Sequence, residues 1–218
     1  LDAAGQKGTG KWTVISSMEL GQPTTLVAEA VYARIVSALK GDRVGAAGIL
    51  SGPSGRIADT EGFVDDIEQA LYASKIVSYG QGFMRMKAAS DEHGWDLDLG
   101  RIAKLWRAGC IIRARFLDDI TAAFERLPDN LMVDEFFSAA LANAQDGWRR
   151  VVMTAVGAGL PVPAYATALA FYDSFRSADL PANLIQAQRD YFGAHTYERR
   201  DRPRGEFFHT DWLEGGAE

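Results

Sequence analysis

Residues 60–94, TEGFVDDIEQALYASKIVSYGQGFMRMKAASDEHG, constrain the fold more than any other stretch of the chain. Phe63, Ile67 and Leu71, then Ile76, Val77, Phe83 and Met84, recur at helical spacing and form a broad apolar face. A helix of about thirty residues runs ~45 Å. One so apolar belongs at the centre of a domain. Gly80 and Gly82 weaken its middle by up to ~1 kcal/mol each relative to Ala, and mark close packing or a bend.

The remaining segments also read as helices. Residues 11–20 form a short amphipathic stretch ended by Gly21 and Pro23. Pro23 opens the next helix, residues 23–41, where Leu26, Ala30 and Ala33, and Val27, Val31, Ile35 and Leu39, recur at helical spacing until Gly41. Residues 43–56 read as one short helix and a turn through SGPSG. Asp98 caps a helix over 99–107. A helix over 110–126 ends before Pro128. Helices over 132–143, 144–158 and 163–177 follow, the last two parted by GAGLPVP, and Pro181 opens a final helix to about 192. No stretch alternates as a strand does, so the expected fold class is all-α.

The tail, residues 195–218, is different in kind. It carries four Arg together with Phe207, Phe208 and Trp212. A solvated disordered tail would lack such rings. They need a surface, on another part of the chain or on a partner subunit.

Composition narrows the function classes. With 218 residues, 47% of them hydrophobic, the chain holds one large core or two small ones. A net charge of -6 argues against a dedicated nucleic-acid binder. The one cysteine, Cys110, sits among apolar residues, reads as a core residue and fits a reducing cytoplasm. His93, His195 and His209 are too widely spaced to suggest a metal site. No apolar run reaches the ~20 residues that span a bilayer, and no signal peptide is evident. The first residue is Leu1 rather than Met, so the chain is expected to begin inside a longer protein.

Three small constellations could carry chemistry. The opening loop, AGQKGTGKWT, places four residues between Gly5 and the pair Gly10 and Lys11, as in a phosphate-binding P-loop. Trp12 stands where that motif needs Ser or Thr, and LDAA is too short to be the strand before it. The loop still offers close backbone approach at Gly5, Gly8 and Gly10, with donors on Lys7, Thr9 and Lys11; the alternative is a flexible turn with solvated lysines. Arg34, in a mostly apolar helix, either snorkels to solvent or pairs with an anion. In QAQRDYFGAHTYE, Arg189 and Asp190 lie near the end of the last helix, Gly193 stops it, and His195 follows; Arg189 and His195 either share a ligand or are solvated.

The segments DAAGQKGTGKW and AQRDYFGAHTYE closely resemble the 6-phosphogluconate dehydrogenase family, and the likeness runs in order through the chain. The resemblance implies a helical C-terminal domain: residues 1–194 would bind substrate and form a homodimer, and residues 195–218 would be an extended tail packed on the partner subunit. It implies that Lys7, Thr9 and Arg34 contact the phosphate of 6-phosphogluconate. Arg189 and His195 would reach into the other subunit's active site, Arg189 to the phosphate and His195 to the sugar acid's oxygens. The family reaction oxidises the C3 hydroxyl with NADP⁺, releases CO₂ and yields ribulose 5-phosphate in the cytoplasm, without a metal.

The sequence departs from a whole enzyme of that family. The Rossmann domain that would bind most of the NADP is absent. So is the first long helix of the helical domain, which holds the family's base lysine and acid glutamate. Neither maps onto a residue here, so no catalytic residue is assigned and the chain is expected to support no turnover alone. The reading from another class is a non-catalytic helical dimerisation module.

Overall fold

A computed structural model describes residues 1–53, 55–57, 60–107, 110–126 and 130–212. The chain divides into two compact units, Leu1–Tyr172 and Asp173–Glu218.

In the first unit the helices are α1 (Thr9–Glu19), α2 (Thr25–Ala38), α3 (Lys40–Ala47), α4 (Phe63–His93), α5 (Leu99–Trp106), α6 (Phe116–Glu125) and α7 (Glu135–Gly157), with a 3₁₀ turn at Leu131–Val133. Helix α8 (Pro163–Phe175) runs across the boundary between the units. The long helix expected over 60–94 is α4, and it lies against α7 at the centre of the unit. Ala70, Ala73, Ile76, Val77 and Phe83 of α4 meet Phe137, Leu141, Ala144, Trp148 and Val151 of α7 in one core, closed by Leu117 and Ile120 of α6 and by Ala168 and Phe171 of α8. Of the two α4 glycines, Gly80 is a close contact: a Cβ there would come 3.2 Å from Met132 Cγ. Gly82 faces open space.

Asp98 caps α5 as expected, its Oδ1 accepting the Arg101 N–H at 2.9 Å. Two other expectations need correction. The segment over 132–158 is one continuous α7, not two helices. Gly147, which weakens a helix in isolation, here lets α4 approach: its N–H donates to Gln69 Oε1 at 3.2 Å, and a Cβ would strike that oxygen. The helix expected from residue 110 starts only at Phe116. Residues before it turn instead: Arg113 N–H donates to Cys110 O, and Tyr79 Oη donates to Ile112 O at 3.0 Å, taking a carbonyl that a helix would have used. Cys110 is only partly buried there. The stop expected from Pro128 lies outside the described residues, as does part of the SGPSG turn.

The second unit contains the end of α8 and α9 (Ala182–Gly193), followed by a minimal antiparallel pair, β1 (Tyr197–Glu198) with β2 (Phe207–Phe208). The pairing was not expected from the sequence. It is two residues long on each side, too short to show any alternation, and leaves the fold all-α in class.

Candidate functional site

The glycine-rich opening loop is tied to α2 at both ends. Upstream, Ala4 N–H donates to Ser37 Oγ at 2.8 Å, and Ser37 Oγ donates to Arg34 O at 2.7 Å. Asp2 receives Lys40 Nζ at 2.7 Å and Arg43 Nη1 at 3.0 Å, and these two cations hold its carboxyl well below the usual carboxylate range. Downstream, Gly10 sits so close to Val31 that a Cβ would fall 2.7 Å from Val31 Cγ2. Between those two anchors the loop passes along α2 from Ser37 to Val31. Arg34 lies midway, three residues from each. Lys7 and Thr9 lie in the loop between these two anchors, and Arg34 lies between the anchors' partners on α2.

The loop is also shaped to present backbone donors. Gly8 takes φ 100, a conformation open to glycine, and starts α1 immediately, so that Thr9 is its first residue rather than residue 11. The first N–H groups of α1 have no partner within the helix and carry its positive dipole end. Lys7, Thr9 and Arg34 are all exposed, and neither Lys7 nor Arg34 takes part in an ion pair among the described residues. Lys11 differs: its Nζ lies 4.8 Å from the centroid of the Trp12 ring. Residues 1–7 form no strand, so the context of a nucleotide P-loop is missing. Two free cations, a hydroxyl and helix N–H groups suit a phosphate dianion.

This cationic segment rests on α4 through polar contacts that the sequence reading missed. Gln81, 1% exposed, accepts the Leu26 N–H at 3.1 Å and donates to Thr25 Oγ1 at 2.8 Å, closing the N-terminus of α2. Arg85 Nη2 donates to Ser16 Oγ of α1 at 2.9 Å. A Gln between Gly80 and Gly82, in an otherwise apolar stretch, was the available signal.

In the second unit, Gln186 links Arg189 to the residue that follows His195. Arg189 Nη1 donates to Gln186 Oε1 at 2.9 Å, and Gln186 Nε2 donates to Thr196 O, next to His195. Helix α9 ends at Gly193, as expected, but the left-handed turn falls beyond it, on Ala194 (φ 51) and Thr196 (φ 58). Two non-glycine residues in that region cost of order 1–3 kcal/mol each. Gly193 has a packing role: a Cβ there would lie 2.8 Å from His195 Nε2, so only glycine lets the ring fold over the helix end. Both Arg189 and His195 are exposed.

The centre of this unit is Asp190, which is 0% exposed. Its Oδ1 accepts the Thr196 N–H and pairs with His209 Nδ1, both at 2.9 Å. Its Oδ2 accepts the Thr210 N–H at 3.1 Å and Trp212 Nε1–H at 2.8 Å. Burial alone would push the carboxyl up. The donors from His209, Thr210, Trp212 and Thr196 outweigh it and hold the group well below the usual range. Trp212 thus returns to its own chain, while Phe192 and Phe207 stay exposed at 81% and 67%.

Among the described residues no group of three or more His, Cys, Asp or Glu could hold a metal ion. Nor is there a parallel sheet with a glycine-rich turn to seat a dinucleotide. No described helix is long and apolar enough to cross a membrane.

Comparison with known proteins bears on this arrangement. The profile of the 6-phosphogluconate dehydrogenase C-terminal domain matches residues 1–212. The chain is 57% identical over 222 residues to the decarboxylating 6-phosphogluconate dehydrogenase of Mus musculus, covering 99% of this chain and 45% of that protein. To the Homo sapiens protein of the same name it is 55% identical over 220 residues, again with 99% and 45% covered. It superposes with a TM-score of 0.92 and 42% identity on Plasmodium falciparum 6-phosphogluconate dehydrogenase, a protein described in apo form, with its cofactor NADP⁺ and with its substrate 6-phosphogluconate; 97% of this chain and 46% of that one are covered. The chain thus spans about half the length of the curated relatives it matches.

Proposed function

The chain belongs to the 6-phosphogluconate dehydrogenase family through its C-terminal domain, and from that premise we propose that it is the substrate-binding part of a decarboxylating 6-phosphogluconate dehydrogenase acting in the cytoplasm. The observation that carries the reading is the loop pinned to α2 on either side of Lys7 and Thr9, with Arg34 between the pins and neither Lys7 nor Arg34 in an ion pair among the described residues. Lys7 and Arg34 neutralise the substrate phosphate, Arg34 by a two-pronged guanidinium and Lys7 by a point charge. Thr9 and the first N–H groups of α1 complete the cradle.

Arg189 and His195 serve the site of a second copy, Arg189 at the phosphate and His195 at the hydroxyl or carboxylate oxygens of the sugar acid. The exposed Leu184, Ile185, Tyr191 and Phe192 on α9, together with Phe207, support a homodimer, since such a face needs cover. NADP⁺ supplies the hydride acceptor for oxidative decarboxylation to ribulose 5-phosphate and CO₂. That step is assigned to none of the described residues.

The test is substrate binding by Arg34→Ala and by Lys7→Ala with Arg189→Ala, measured beside sedimentation of the same samples. Loss of 6-phosphogluconate affinity with the dimer intact supports the reading. Unchanged affinity and an unchanged dimer would reduce the chain to a dimerisation module.

A further inference from the structure

We propose that Asp190 is the positioning residue of the second unit: its carboxylate fixes the Ala194–Thr196 turn, and through it the ring of His195, while locking the tail onto α9. The inference rests on the reading of His195 as a substrate contact.

Two separated stretches, the turn at Thr196 and the tail at residues 209–212, converge on this one side chain. Thr196 N–H and His209 Nδ1 share Oδ1, and Thr210 N–H and Trp212 Nε1–H share Oδ2. The main chain of Asp190 adds a further tie, its carbonyl accepting the Ala194 N–H at 2.8 Å. His195 therefore lies between two residues bound to Asp190, one through the backbone and one through the side chain. The Thr196 peptide is gripped on both sides, its N–H by Asp190 and its carbonyl by Gln186, which also holds Arg189. That is how a turn with two non-glycine residues at positive φ keeps a single shape. The same carboxylate that orients His195 also reads whether residues 209–212 are docked. Placement of His195 and docking of the tail are thereby one event.

An uncharged copy cannot do this. Asn offers one acceptor oxygen and one NH₂, so whichever way the amide sits at least one of the Thr196, Thr210 and Trp212 N–H groups would face another donor in a fully buried position. Asp190→Asn has almost the same shape and isolates the acceptor set.

The experiment compares wild type, Asp190→Asn, His195→Ala and the double variant in titrations with 6-phosphogluconate, with amide hydrogen exchange followed by NMR. Asp190→Asn should weaken binding about tenfold in the wild-type background and less than about twofold once His195 is already alanine, because a residue acting through another has nothing left to position. An equal loss in both backgrounds, or no loss, would overturn the proposal. Exchange decides the matter even if wild type binds no sugar phosphate, an outcome that sinks the functional reading alone. Thr196 and Thr210 amides should lose protection in Asp190→Asn while the α9 amides keep theirs; retained protection at Thr196 contradicts the proposal. If Asp190→Asn unravels α9 as well, Trp212→Phe removes a single donor and keeps the ring. It should speed Thr196 exchange by two- to threefold, and an unchanged Thr196 rate would count against the proposal.

Discussion

The two units of the chain are organised by opposite chemistries. The first unit is built on α4 and α7, with Trp148, Phe137, Ile76, Leu117 and Ile120 fully buried in one apolar core. The second has a charged carboxylate at its centre and turns Leu184, Ile185, Phe192 and Phe207 outward. Apolar burial is non-directional and tolerates approximate fit. A buried carboxylate with four donors fixes a geometry but is costly when any donor is missing. The first unit is thus a stable platform for the proposed phosphate cradle. The second is a shaped device whose apolar surface waits for cover.

The sharpest way to break the contrast is to hollow the first core. Trp148→Ala removes a side chain that is 0% exposed and hydrogen-bonded from Nε1 to Tyr165 O. It should cost about 3–5 kcal/mol in urea unfolding followed by far-UV circular dichroism. A loss below about 1 kcal/mol would mean that the core is not what holds this unit.

Next comes the polar start of α7. Asp134 caps the helix through the Phe136 N–H and receives Arg126 Nε and Nη2 at 2.8 and 2.9 Å. Arg126 holds its carboxyl below the usual range. Asp134→Ala should destabilise by about 2 kcal/mol, the sum of a cap and a charge-assisted pair. The folded value is depressed, so the stabilisation is present above the ordinary carboxylate pKa and is lost as pH falls. The variant's deficit should therefore shrink in acid.

The same sign applies to Asp190, with a different reporter. Its stabilisation of the second unit is fully present above about pH 4 and fades only as pH falls further. The Thr210 amide and the Trp212 indole N–H should stay protected from exchange from pH 7 to 5 and lose protection well below pH 4. Loss of that protection above pH 5 would contradict a permanently ionised hub. The smallest stability effect is expected at the outward face. Phe192→Ser should change monomer stability by less than about 0.5 kcal/mol, yet weaken self-association in sedimentation equilibrium.

Much of the first unit was legible in the sequence, because local signals and packing agree there. The periodicity of α4, the Asp98 cap of α5 and the Gly21–Pro23 punctuation before α2 each point to one structure, whereas Gly41, read as the stop of α2, lies inside α3 and α2 ends at Ala38. The errors fall where a distant partner overrode a local signal. Residues 132–158 read as two helices, but α7 runs unbroken from Glu135 to Gly157 and packs Gly147 against Gln69 of α4. Residues 110–115 read as helix, but Tyr79 takes the carbonyl of Ile112. The candidate ligand residues were legible as types: an Arg in an apolar helix, a His after a helix end, a glycine-rich loop with lysines. Their support was not. Nothing near Asp190 in sequence announces that residues 196, 209, 210 and 212 will return to it.

The central claim is that the loop along α2 forms a sugar-phosphate cradle. Parallel calorimetric titrations of this chain with 6-phosphogluconate and with ATP–Mg²⁺ test it most directly. The account predicts heat from 6-phosphogluconate that disappears in Arg34→Ala, and none from ATP–Mg²⁺. Binding of ATP–Mg²⁺ with silence toward 6-phosphogluconate would contradict it, and would make the opening loop a nucleotide site.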